Sequence, residues 1–382
     1  MEDSLDMMSE VDTILLKVAS RCNINCNYCY VYNMGDDNWK GMDKFMSIET
    51  IDGICEALKK LIGFQEKHFS IVLHGGEPLL LGLEKLEYLL SRIRAILSDL
   101  YPVSMQTNGI LITDDILTIC SKYRVSIAVS IDGPQHIHDK NRIKHNQKGT
   151  FHDVITGIGK LREHPDANFL NAGLLAVIDP ASDAGEVYRF FKSLGTPSVD
   201  FLYKDGNHSK LPPGKTAADS KEYGTWMVDL LTAYINDPCP LPIRVLDDMM
   251  KVLLGGIVSK EGLGLTNFGI IIIDTNGTIM KNDTLKSSYK GADRFVEPHN
   301  IKSGQLLEFL HSREFTTYRE MQNPTSLKCN SCPELSVCGG GMILHRWQDN
   351  NGFDNPSVYC ADQLHLIAEM RKKISQLIPS YV

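Results

Sequence analysis

Thr13-Ile14-Leu15-Leu16-Lys17-Val18, running on into Cys22-Asn23-Ile24-Asn25-Cys26-Asn27-Tyr28-Cys29, is the stretch on which the reading turns. The first six residues are a short, mostly apolar strand. The cysteines that follow supply three thiols within eight residues, in a loop at the strand's end. Working outward, strands are expected at 69–73, 103–106, 125–131, 172–178 and 199–203. Helices are expected between them at 47–63, 83–97, 113–122, 150–162 and 183–194, where apolar residues such as Ile48, Ile51, Ile54, Leu58 and Leu61 recur at helical spacing. Strands alternating with helices imply a parallel sheet. Six such units, rather than eight, imply an α/β fold built as an open, partial (β/α)6 barrel of the TIM type. Its chemistry would sit in the loops at the carboxyl ends of the strands.

The alternation stops near residue 210. Leu211-Pro212-Pro213-Gly214 reads as a linker, with helices near 216–235 and 243–254. From about 261 the chain turns loop-rich. The expected division is a barrel over 1–210, a helical linker over 211–260 and a C-terminal cysteine domain over 261–382. The 382 residues carry 39 basic and 47 acidic side chains, a net charge of −8. No basic block is present, which argues against nucleic acid as a partner. No apolar run approaches the length of a transmembrane helix. The stretch Met1–Asp12 is acidic and lacks the apolar core of a signal peptide, so a cytoplasmic location without membrane attachment is expected.

The ten cysteines are clustered, with three at 22, 26 and 29 and four at 329, 332, 338 and 360. In a reducing compartment such groups read as metal or iron–sulfur ligands rather than disulfides. Cys22-x3-Cys26-x2-Cys29 is one thiolate short of closing a four-iron cube, which leaves one iron open to a small molecule. Zinc is the competing reading, but structural zinc takes four ligands and no histidine lies nearby. Cys329-x2-Cys332-x5-Cys338 and Cys360 supply four thiolates and would close a second site, again with zinc as the alternative. Cys55 and Cys120 lie in apolar helical surroundings as buried thiols, and Cys239 stands alone between prolines.

These motifs resemble the radical S-adenosylmethionine (SAM) superfamily. The matching residues are Cys22, Cys26 and Cys29 with Tyr28 before the last. Then, in chain order, come Gly75-Gly76-Glu77-Pro78, Thr107-Asn108-Gly109, Ser130-Ile131-Asp132-Gly133 and Arg142. The resemblance covers roughly residues 12–205. It implies that the Gly75–Pro78 loop holds the SAM amino group and that Ser130 and Asp132 contact the ribose. It further implies that Arg142 pairs with the SAM carboxylate and that Leu174–Ile178 wall the adenine. Tyr28 and Asn108 would complete the cofactor site. The implied chemistry is one-electron cleavage of SAM to a 5′-deoxyadenosyl radical that removes a hydrogen atom from substrate.

The C-terminal spacing resembles the SPASM extension of peptide-modifying members, which holds two auxiliary clusters on seven cysteines. Three of those positions differ here. No cysteine falls in 258–266, Asn282 stands where one is expected after Gly277, and Met342 stands where one is expected after Cys338. The resemblance therefore implies two [4Fe–4S] clusters in all, one binding SAM and one auxiliary. Asp283, beside the vacant position, resembles an aspartate thought to take a proton from substrate in anaerobic sulfatase-maturase relatives; a surface-turn carboxylate is the alternative. Tyr203, Lys204 and Asp205 point toward the same mouth, with core packing or a solvated loop the preferred reading for each. His345 is expected to be a hydrogen-bonded structural histidine.

Gly339-Gly340-Gly341-Met342-Ile343-Leu344-His345-Arg346 and Gly352–Cys360 resemble the C-terminal region of cyclophane-forming enzymes of ribosomal peptide natural products. That resemblance implies an enzyme joining an aromatic side chain to a neighbouring β-carbon of a precursor peptide. Thioether formation, epimerisation, sulfatase maturation and small-molecule dehydrogenation are the alternatives. The implied partners are the precursor peptide, a flavodoxin- or ferredoxin-type electron donor and a separate leader-binding protein, since Cys22 lies so near the start of the sequence.

Overall fold

The computed structural model describes residues 10–258 and 260–377. Most of the acidic N-terminal stretch, Met1–Ser9, lies outside them. The six expected strands form as β1 (Thr13–Ala19), β2 (Ser70–Gly75), β3 (Val103–Thr107), β4 (Val125–Ser130), β5 (Asn171–Val177) and β6 (Val199–Leu202). All pair in parallel, β1 to β2 and onward to β6. The connecting helices are α1 (Ile48–Ile62), α2 (Leu83–Arg94), α3 (Asp114–Lys122), α4 (Phe151–Glu163) and α5 (Ala184–Ser193). Their starts follow local chemistry. Ser47, Thr113 and Asp183 each cap a helix by accepting a hydrogen bond from the backbone N–H three residues on.

The sheet does not end at β1, as a loop-rich region after 261 would require. Ile270–Ile273 forms β7 and pairs in parallel with β1, from Thr13 against Ile270 to Leu16 against Ile273. β8 (Thr278–Met280) and β9 (His299–Asn300) then fold back antiparallel. The order is β9-β8-β7-β1-β2-β3-β4-β5-β6. Four consecutive isoleucines suit a strand covered on both faces, but a run that short carries no period to distinguish strand from buried helix. The C-terminal region thus shares the barrel's sheet, across the boundary expected at 260.

After β6 the chain runs through α6 (Glu222–Ile235) and α7 (Arg244–Leu253) and ends in α8 (Cys360–Leu377). Gly224 lets α6 and α8 meet closely, since a Cβ there would lie 2.7 Å from the Asp362 backbone. The Gly224 N–H donates to Asp362 Oδ1 at 2.7 Å. Lys215 Nζ reaches Asp362 Oδ2 at 2.6 Å, with both side chains fully buried. Among the described residues no helix is long and apolar enough to cross a membrane.

Removing one partner of a buried pair leaves an uncompensated charge, at a cost of about 3–5 kcal/mol. Lys215→Ala is expected to lower unfolding stability by about that amount, read from anaerobic urea melts of the cluster-loaded protein. A loss below about 1 kcal/mol would show that the pair does not hold α8 to the linker.

Candidate active site

The loop after β1 carries the first thiols onto a small ribbon. Ile24–Cys26 pairs antiparallel with Arg142–Lys144, so Cys26 lies directly across from Arg142. The Cys29 N–H donates to the Cys26 carbonyl at 3.0 Å, turning the third cysteine back toward the second. All three line one cavity of about 330 Å³. Burial pushes the Cys22 and Cys26 thiols up to about 12, so neither ionises readily by itself. A cationic cluster would deprotonate them on binding.

Gly75 and Gly76 end β2 beneath this loop. A Cβ on Gly75, at φ +132°, would fall 2.2 Å from the Ala19 carbonyl oxygen. One on Gly76 would fall 2.1 Å from Tyr32 Oη. Only glycine permits that approach. Both glycines line the cavity, as do Tyr28, Asn108, Ser130 and Arg142.

Glu77, Pro78 and Asp132, expected to touch SAM, are not in the cavity wall. Glu77 turns into the protein, where its carboxylate accepts from Thr107 Oγ1 at 2.7 Å, Asn108 N at 2.8 Å and Leu79 N at 3.1 Å. It staples the Gly75–Pro78 loop to the end of β3, and Pro78 opens the 3-10 turn Pro78–Leu81. Asp132 is equally occupied. It accepts from Tyr28 Oη at 2.6 Å, Arg142 Nε at 2.9 Å and Val177 N at 3.1 Å. Its own N–H donates to His138 Nδ1 at 3.3 Å, while His138 Nε2 meets Thr150 Oγ1 at 2.9 Å. Burial lowers the imidazole to about 4, so His138 is a neutral spacer. Asp132 uses only the Nε of Arg142; among the described residues the two Nη groups have no hydrogen-bond partner. A fork of that kind suits a carboxylate.

Asp283 is 2% exposed, which excludes the surface-turn reading. It stands behind the cavity wall and meets it through Tyr30, whose hydroxyl donates to Asp283 Oδ1 at 3.1 Å. Lys17 Nζ, inside the barrel on β1, lies 3.4 Å from both Asp283 and Asp274. Burial alone would raise the Asp283 carboxyl, but the Lys17 and Lys286 cations outweigh it and hold the group below its usual range. Tyr203, Lys204 and Asp205 do line the cavity. Burial, with Asp283 nearby, pushes Asp205 up to about 7.

Cys338 lines the far end of the same cavity. Burial raises its thiol to about 12, and Cys360, Cys329 and Cys332 add to the rise, so the four thiols share one neighbourhood. Among the described residues no three cysteine, histidine or acidic side chains converge enough to share a single metal ion. Arg346, 1% exposed, organises the adjacent glycines. It donates to the carbonyls of Gly339, Gly340 and Gly341 at 3.2, 3.0 and 2.6 Å. His345 differs from expectation: its ring packs edge-on against Tyr359, and the buried Nε2 has no hydrogen-bond partner among the described residues.

The three positions where further thiolates were expected come together in space. Asn282 Nδ2 donates to Glu261 Oε2. Gly262 backs onto Met342, so that a Cβ there would lie 2.9 Å from the Met342 backbone nitrogen. An amide, a carboxylate and a thioether fill the place. Sequence reasoning did not single out Glu261, Tyr30 or Lys17. Only Lys17, a charge within an apolar strand, carried a signal that could have been read.

A barrel with three thiols at the mouth of β1 and a glycine cradle beside them defines a class that binds a small cofactor at the carboxyl ends of its strands. Residues 16–176 match the Radical SAM superfamily, and the chain is an enzyme with peptide-maturase relatives. Its cofactors are SAM and [4Fe–4S] clusters. A cysteine-type anaerobic sulfatase-maturating enzyme of Clostridium novyi is 22% identical over 366 residues, covering 92% of this chain and 93% of that protein. The fold matches a structure of native anSMEcpe with bound AdoMet at TM-score 0.80 and 20% identity, covering 96% of this chain and 98% of the other. Streptococcus suis SuiB matches at TM-score 0.59 and 13% identity, covering 88% of this chain and 74% of its own.

Arg142→Ala should weaken SAM binding about tenfold or more, because a hydrogen bond to a charged group contributes about 1.5–3 kcal/mol. Anaerobic equilibrium dialysis with labelled SAM measures it; unchanged affinity would place the SAM carboxylate elsewhere.

Proposed function

We propose that this enzyme oxidises a ribosomally made precursor peptide by two hydrogens, joining an aromatic side chain to the β-carbon of a neighbour. The observation that carries the reading is the single cavity bounded by Cys22, Cys26 and Cys29 at one end and Cys338 at the other. Its wall between them includes Phe201, Met227, Val245, Met249 and Leu366, an apolar surface fit for an aromatic ring.

When bound, SAM and the first cluster supply the hydrogen-abstracting chemistry. The chain's residues do the rest. Cys22, Cys26 and Cys29 hold that cluster. The Gly75–Gly76 backbone takes the SAM amino group. Arg142, aimed by Asp132 and Tyr28, takes the carboxylate; Ser130 faces the ribose. Glu77 and Pro78 keep the loop in place. Asp283 orders Tyr30 at the wall. Cys329, Cys332, Cys338 and Cys360 hold the one auxiliary cluster, the seat for the electron that a two-hydrogen oxidation must shed.

A second reading has its own support. The near full-length similarity to sulfatase-maturating enzymes favours oxidation of a cysteine or serine side chain. The replaced positions at Glu261, Asn282 and Met342 favour the first. A flavodoxin- or ferredoxin-type protein is the proposed electron donor. The ten unpaired thiols suit a reducing, cytoplasmic setting.

Anaerobic reconstitution should give about eight irons per chain, and about four after replacement of Cys22, Cys26 and Cys29 by alanine. About twelve would overturn the single auxiliary cluster. With SAM, reductant and its precursor peptide, mass spectrometry should find the peptide two hydrogens lighter, with fragmentation placing the new bond on an aromatic ring. An aldehyde product would decide for the second reading.

A further inference from the structure

Any two-hydrogen oxidation that starts with loss of a hydrogen atom must also release one electron and one proton. The thiolate groups address the atom and the electron. The proton needs an acceptor at the cavity wall.

Asp283 is poorly placed for that task. It is absent from the wall, and it is held as an anion by Lys17 and bonded by Tyr30. Glu261 is placed differently. It lines the cavity between Lys260 and Gly262, in the space where a further cluster was expected. Among the described residues its only hydrogen bond comes from Asn282 Nδ2, and no cation lies within ion-pair distance. Asn282 is itself fixed. Its Oδ1 accepts from the Thr284 N–H at 3.1 Å and its N–H donates to Tyr318 Oη at 2.9 Å. The amide therefore aims one carboxylate oxygen and leaves the other uncommitted. A carboxylate with no cation, in a largely apolar wall, gains by taking a proton.

We propose that Glu261 is the group that accepts the proton released when substrate is oxidised. This rests on the two-hydrogen oxidation proposed above. With SAM bound, one electron from the flavodoxin- or ferredoxin-type donor would break its carbon–sulfur bond, and the adenosyl carbon would take a hydrogen atom from the substrate carbon. That carbon bonds to the aromatic ring. The ring would then lose one electron to the oxidised four-iron cluster that Cys329, Cys332, Cys338 and Cys360 would hold, and its displaced proton would pass to Glu261, which becomes the neutral acid. In the side-chain oxidation reading the same proton comes from the cysteine thiol or serine hydroxyl.

The charge environment agrees. Burial pushes Glu261 up to about 7, with Asn282 and the Arg346 cation opposing the rise. The Tyr318 hydroxyl also faces it, while the neighbouring Lys260 is paired with Asp200 and Asp248. A base near neutrality is the useful kind.

The test uses the cluster-loaded enzyme with SAM, reductant and a synthetic precursor peptide containing an aromatic residue. Wild type should release about one deoxyadenosine per oxidised peptide. General-base removal typically costs about 100–10,000-fold, so Glu261→Gln should raise that ratio to on the order of a hundred, and Glu261→Asp should recover part of the coupling. Product formation in wild type should rise with pH through about 7, as Glu261 ionises, and this limb should vanish in Glu261→Gln. Infrared difference spectra of wild type against Glu261→Gln should show a protonated carboxyl band lost over the same range, without turnover. Normal coupling and an intact limb in Glu261→Gln would overturn the proposal, as would loss of the limb in Asp205→Asn instead. A wild-type peptide with no two-hydrogen loss would overturn the oxidation reading, and the infrared titration would still report on Glu261.

Discussion

The Lys17 ammonium is the charge around which the molecule is arranged. It projects into the barrel from β1, the strand paired on one side with β2 and on the other with β7. Burial would lower its basicity, but Asp274 and Asp283 beside it hold the ammonium above its ordinary range. Asp274 follows β7 and Asp283 follows β8, so one buried cation binds the C-terminal region to the first strand of the barrel. A buried charge without partners would be costly, and two carboxylates from a distant part of the chain make it tolerable. Because β7 arrives there, the second thiolate group and Glu261 face the same cavity as the first.

Glu77, Pro78 and Asp132, expected to touch SAM, lie behind the wall of that shared cavity. Glu77 and Asp132 are buried carboxylates with every strong donor in reach already committed to them. Such groups orient their neighbours. Glu77 holds a glycine loop that must lie against the Ala19 and Arg21 backbone, and Asp132 holds Arg142 by one nitrogen so that the others stay available. The fully satisfied network makes the cradle rigid before any ligand arrives.

Much of this was legible in the residues. The six barrel strands and their helices follow from apolar periodicity and turn chemistry, and all lie within three residues of the expected bounds. The order of the motif loops follows from the same alternation. Ile270–Ile273 did not declare itself, because four residues cannot show a period and their partner lies some 250 residues earlier. Glu261 was equally silent. A lone glutamate in a glycine-rich loop looks like a solvated charge until the chain folds Asn282 and Met342 against it.

The sequence by itself determined the cofactor chemistry, since thiol spacing, glycine positions and strand periodicity are local properties. Three cysteines within eight residues, after a strand, bring three thiols into one loop in any packing. Only the tertiary structure decided which of the acidic residues are anchors and which are free to act. Asp283, Asp205 and Glu261 are chemically alike in the sequence. Lys17 and Tyr30 bind the first, Asp283 raises the second, and a single amide from Asn282 aims the third. A carboxylate's reactivity is set by the charges and donors within a few ångströms of it, and those come from strands and loops far apart in the chain.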